Sequence, residues 1–156
     1  MNIKDIIKEE GDSFHGIHKS ILYYGIRHDH LGMWCGYIVI KPNHPFYKTT
    51  EKQSGYFHVH GGVTFAKYVN ESYQKILIDK NIDNILIKDY VIGFDCGHSG
   101  DLVPSMFELY DGITRNDVYR DKKYVIEECK NMINQLDKKY PKFFGEYKEM
   151  FKKLNS

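Results

Sequence analysis

Cysteine, proline, tryptophan and arginine are all scarce in this chain of 156 residues, which holds three Cys, four Pro, one Trp and three Arg. Cys35, Cys96 and Cys129 are odd in number and show no CxxC spacing, which excludes a disulfide framework and points to a reducing compartment. No apolar run approaches the roughly 18 residues of a membrane span, and the opening "MNIKDIIKEEGD" lacks the apolar centre of a secretory signal. Neither sign of charge dominates: 22 basic residues meet 21 acidic ones, a net charge of +1. A coat for nucleic acid or an anionic membrane needs a basic excess, so neither is expected as a partner. GxGxxG, the P-loop, HExxH and the nucleophile elbow are all missing from the sequence.

Aromatic residues are plentiful, with 13 Tyr and 9 Phe. A chain of this length forms one domain, residues 1–156, and can bury roughly 70% of its unfolded surface. Residues 2–10 read as a short helix, with Ile3, Ile6 and Ile7 on one stripe. "SFHGIHKSILYYGIR" reads as extended, and "HDHLG" as a turn. "MWCGYIVIKP" is a strand with Tyr37, Val39 and Lys41 on one face and Trp34, Gly36, Ile38 and Ile40 on the other; Pro42 stops it. "NHPFYKTTEKQSG" reads as a loop, "YFHVH" and "VTFAKYV" as strands, and 70–85 as a polar loop. "ILIKDYVIGFD" is a further strand, and "MFELYDGITRN" reads as irregular. From Asp117 to Leu136 apolar residues recur every three or four positions, a helix with Cys129 on its core stripe. A second helix is expected after Pro141. Strands grouped ahead of helices predict an α+β fold, a mostly antiparallel sheet with a short N-terminal helix and two C-terminal helices packed on it.

Two strand ends carry the chemistry. In "FHVHGGVTFA", His58 and His60 would project from one strand face about 7 Å apart, followed by Gly61 and Gly62. In "IGFDCGHSGDLVP", Asp95, His98 and Asp101 cluster around Gly97 and Gly100. Should the two strands be neighbours, His60, Asp95, His98 and Asp101 line one pocket. That pocket has two readings. The glycines can bare backbone N–H groups to an anion, while Arg115 and Arg120 fork onto a phosphate and aromatic rings stack on a base. Alternatively, His60, Asp95 and His98 hold a divalent metal, with Asp101 as general base for a metal-bound water. A bland reading stands beside both: His58 is a half-exposed edge residue, and Asp95 pins His98 in an internal hydrogen bond. Cys96 is a poor nucleophile, since the adjacent carboxylate raises its pKa. The pairs His15/His18 and His28/His30 have spacings that would suit a metal but lack flanking structure to support it, and His28 and His30 read as a solvated loop.

"WCGYIVIKPNHPFY", "VHGGVTFA", "IGFDCGHSGD" and "YRDKKYVIEECKNMINQL" together resemble a family of small bacteriophage and prophage proteins sharing CGYV, HP.YG, VHGG.T, GFD.AH.GD and YRD..YV segments. The resemblance spans residues 34–136 and carries no settled activity. It implies a viral origin and shared positions at His44, Tyr47, His60, Gly61, Gly62, Thr64, Asp95, His98, Asp101 and Arg120. His58 falls outside the shared set, and Lys48 stands where the family has Gly. The loop 43–55 would bring His44 and Tyr47 over the pocket. Phage proteins of this size include sponges for nucleotide signals. The expected function is therefore capture of an anionic, nucleotide-derived ligand in the host cytoplasm by a homo-oligomer, a counter-defence role needing no cofactor. A metal-dependent phosphoester hydrolase and a protein inhibitor of a host enzyme are the alternatives.

Overall fold

A computed structural model describes residues 2–49, 55–109 and 116–141. In chain order it contains α1 (Ile3–Glu10), β1 (Ser13–His18), β2 (Ile21–Arg27), β3 (Trp34–Ile40), a short 3-10 turn (Pro45–Lys48), β4 (Phe65–Tyr68), α2 (Glu71–Asp79), β5 (Tyr90–Asp95), α3 (Pro104–Leu109) and α4 (Lys122–Lys139). The strands form one sheet in the order β1-β2-β3-β5-β4, every neighbouring pair antiparallel. The fold is α+β, as the sequence predicts. Among the described residues no helix is long and apolar enough to cross a membrane.

The β1–β2 hairpin turns on Lys19 and Ser20, both at positive φ, the mirror-image turn whose twist suits paired strands. In β3 the predicted faces hold. Trp34, Ile38 and Ile40 join Ile92, Phe94 and the buried stripe of α4: Val125, Cys129, Met132, Ile133 and Leu136. Burying each of these large side chains contributes roughly 2 kcal/mol. Gly36 leaves space for the Phe94 ring and Val125, so α4 can lie close to β3. Asp121 caps α4 by accepting from the Tyr124 amide at 2.8 Å.

The opposite face of the sheet is covered by a helix where the polar segment 70–85 reads as a loop. Asn70 caps α2 by accepting from the Tyr73 amide at 2.8 Å, and Leu77 packs with Tyr24, Val39, Val91, Ile82 and Ile85. One buried residue in nine gives no stripe, so α2 leaves no periodic signal. Likewise α3 begins with Pro104 and runs into "MFELYDGITRN", the segment read as irregular. The expected second C-terminal helix falls on 142–156, outside the described residues.

"YFHVH" is the clearest departure. Phe57 is buried and His58 exposed, so the alternation is present, yet the segment joins no strand. Its backbone is served by side chains of α4 instead: Gln135 Oε1 accepts from the His58 amide at 2.9 Å, Gln135 Nε2 donates to His58 O at 2.8 Å, and Glu128 Oε1 accepts from the His60 amide at 2.9 Å. Residues 57–59 therefore lie along α4, and a turn begins at His60.

A buried ionic knot holds α1 to this layer. Arg27, 6% exposed, donates to Gly11 O, Gly32 O, Tyr119 Oη and Glu10 Oε1. Glu10 also accepts from Trp34 Nε1 at 3.1 Å and from the Lys122 amide at 2.7 Å. The knot fixes the start of α4 and the segment just before it.

Candidate functional site

Strand β5 ends at Asp95, and the chain turns back tightly, with the Asp101 amide donating to His98 O at 2.9 Å. Asp101 then bridges Val118 in parallel fashion, which lays the segment carrying Tyr119 and Arg120 beside the turn. From the other side, the 57–60 segment brings His60 across α4.

Asp101 is the hub. Its carboxylate, 5% exposed, accepts from His60 Nε2 at 2.8 Å and the His98 amide at 3.0 Å through Oδ2, and from Arg120 Nε at 3.0 Å through Oδ1. Burial alone pushes this carboxyl up, but the hydrogen bonds from His60, Arg120 and the His98 amide outweigh it and hold the group below its ordinary range. The other nitrogen of His60 lies 2.8 Å from Tyr124 Oη. Arg120 places its guanidinium carbon 5.0 Å from the Tyr124 ring centroid.

Asp95 forms a second, more open centre. It accepts from Thr64 Oγ1 at 3.0 Å and the Gly97 amide at 2.9 Å, and lies 3.4 Å from His98 Nε2. The His98 ring stands 6.0 Å from that of His60 and packs against Gly61, which has a φ of +67°. His60, Gly61, Thr64, Asp95, His98, Asp101 and Arg120 thus converge at the end of β5.

Several expected details differ. His58 and His60 share no function: His58 is exposed, whereas His60 has both ring nitrogens engaged. The bare-backbone reading weakens, because the Gly62 amide donates to Val59 O at 2.9 Å, the Gly97 amide to Asp95 and the His98 amide to Asp101. These amides are spent on the turns themselves. No group of three His, Cys, Asp or Glu side chains among the described residues is arranged to hold a metal ion. An ion at His60 would have to displace Tyr124 or Asp101.

His44 and Tyr47 lie elsewhere. His44 is 2% exposed, accepts from the Phe46 amide at 3.0 Å through Nδ1, and packs edge-on against Tyr140. Burial pulls its pKa down to about 4. Tyr140 sits at the opposite end of α4 from Tyr124, about 24 Å along the axis at 1.5 Å per residue. Tyr47 donates to Lys88 O at 2.6 Å and meets Tyr68. Residues 43–49 therefore buttress the far end of the helix and do not cover the cluster. Arg115 lies outside the described residues.

The cysteines are packing residues in this structure. Cys96 and Cys129 are buried, and burial raises both thiols, Cys129 to about 12. Burial, with Asp95 next, raises Cys35 to about 11. His28 Nδ1 accepts from the amides of His30 and Leu31, a turn-forming role, and His18 pairs with Asn134.

Tyr124 and Glu128 are the functional-region residues that sequence reasoning passed over. A signal existed: the α4 stripe needs only one of Tyr124 and Val125, and Val125 takes the buried place, so Tyr124 must face another direction. No family model, curated protein or solved structure matches the chain.

Proposed function

We propose that this protein captures a small anionic ligand, a phosphate-bearing nucleotide derivative, at the open side of the Asp101 cluster. Arg120 carries the reading. Its Nε is tethered to a buried carboxylate and its guanidinium is held near the Tyr124 ring. Among the described residues its two Nη groups have no further partner. A guanidinium oriented in this way is a ready fork for phosphate oxygens, since its ordering entropy is spent in folding. His98 shares the Asp101 carboxylate with Arg120 through its backbone amide, its imidazole is 35% exposed, and the Tyr124 ring offers a face for a base.

The motif resemblance sets this capture in a phage, where removing a nucleotide signal from the host cytoplasm blunts a defence. A homo-oligomer belongs to the same reading, and light scattering on the purified chain checks it. The binding test is thermal unfolding with inorganic phosphate, adenosine monophosphate and a cyclic dinucleotide. Saturating stabilisation is expected for at least one nucleotide, about 2.7 kcal/mol at a hundred times Kd, weaker for Arg120→Gln. The absence of any saturable shift with all three probes would overturn the proposal.

A further inference from the structure

We propose that Asp101, His60 and Tyr124 form a relay that makes the Tyr124 phenol oxygen a catalytic nucleophile toward a phosphodiester. The three groups stand in one line of hydrogen bonds, 2.8 Å from Asp101 Oδ2 to His60 Nε2 and 2.8 Å from His60 Nδ1 to Tyr124 Oη. Asp101 is already an acceptor for Arg120 Nε and the His98 amide, as an ionised carboxylate must be. In a neutral imidazole the proton therefore sits on Nε2, and Nδ1 faces the phenol with a free lone pair. Tyr124 is then the donor. A carboxylate orients the base, and the base addresses the nucleophile's proton, which is the arrangement by which hydroxyl nucleophiles are activated.

A link of purely architectural purpose needs only the hydrogen bonds, and two further features exceed that need. Tyr124 is half-buried rather than sealed in the core. The guanidinium of Arg120 stands over its ring with its Nη groups unspent among the described residues, a positive charge placed for the oxygens of a phosphorus centre. Burial raises the Tyr124 pKa, so the phenol stays protonated near neutrality and depends on His60 for activation.

In the first step the Tyr124 Oη–P bond forms, the phenol proton passes to His60 Nδ1, and the P–O bond to the leaving alcohol breaks. The departing alkoxide takes that proton from His60. Water then attacks the phosphotyrosyl phosphorus, giving its proton to His60. The P–Oη bond breaks, and the phenolate recovers the proton. Diester and water become monoester and alcohol, with no change of oxidation state. The substrate class rests on the anion site proposed above, whereas the reactivity of Tyr124 does not.

The experiment separates the two. An aryl sulfonyl fluoride forms an Oη–S bond at an activated phenol as S–F breaks, with the proton passing to His60 and fluoride leaving. Peptide mapping is expected to place the adduct on Tyr124, well ahead of the exposed Tyr68. His60→Gln or Asp101→Asn should slow it about a hundredfold relative to Tyr68. A second arm follows hydrolysis of bis(para-nitrophenyl) phosphate, which Tyr124→Phe should abolish while binding of inorganic phosphate persists. Labelling of Tyr124 no faster than Tyr68 in the unaltered protein overturns the relay, and that comparison needs no variant to fold. Normal labelling without a saturable shift for any of the three anion probes overturns the anion site and leaves the relay standing.

Discussion

Gly61 lies directly against the imidazole of His98, so closely that a Cβ at residue 61 would overlap the ring. Its neighbour Gly62 has a similar left-handed φ, +80° against +67°, but nothing within 4 Å of the same built atom. The pair separates backbone strain from contact. Alanine at either position should cost about 1–2 kcal/mol from the left-handed φ. Only Gly61→Ala should also displace His98 from Asp95 and weaken anion binding. Urea melts and phosphate titrations of the two variants give the comparison; equal binding by both would refute a role for the His98 position.

Arg27 and Glu10 support the site from beneath. Tyr119 accepts from Arg27 Nη1 at 3.0 Å and donates to Glu10, and Arg120 is the next residue. Arg27→Met leaves the Glu10 carboxylate, only 15% exposed, without its counter-charge, and should destabilise the fold by about 3–5 kcal/mol. Arg27→Lys should recover little, because one ammonium cannot reach Gly11, Gly32 and Glu10 together. The double variant Arg27→Met, Glu10→Gln should lose less than the sum of its parts. Chemical denaturation of the unaltered protein, Arg27→Met, Glu10→Gln and the double variant measures this, and full additivity would deny the coupling.

His44 should make the fold acid-sensitive. Its folded pKa is pulled to about 4 by burial, against an ordinary 6.5. Between those values the unfolded chain takes up a proton that the folded chain refuses. Stability therefore falls as pH drops from 6.5 toward 4, by up to about 3 kcal/mol, and is unaffected above that window. Asp101 and Glu10 add to acid loss only lower, because hydrogen bonds hold both carboxyls below their ordinary 3.8 and 4.5 despite burial. His44→Asn keeps an acceptor for the Phe46 amide and should flatten the curve between pH 7 and 4. Unchanged acid sensitivity in that variant would assign the loss to other groups.

The local pattern of the chain was sufficient for the α+β class, the two faces of β3 and the stripe of α4. In each, which side chains are buried follows from a period of two or of 3.6 along one segment. The cluster of Asp95, His98 and Asp101 was legible for the same reason, lying within seven residues of one turn. "YFHVH" shows where the pattern stops. Alternation records which side chains face inward, and it is silent on what receives the backbone hydrogen bonds, here Gln135 and Glu128 of α4.

Only the tertiary structure decided the partners. The β3-β5-β4 pairing and the bridge from Asp101 to Val118 carry His60, Asp101, Arg120 and Tyr124 together from three separate stretches, and leave His44 and Tyr47 at the other end of α4. A residue type and its neighbours in sequence set what chemistry a side chain can perform. Which group it performs it with depends on contacts between residues far apart along the chain, and these arise only when the layers pack.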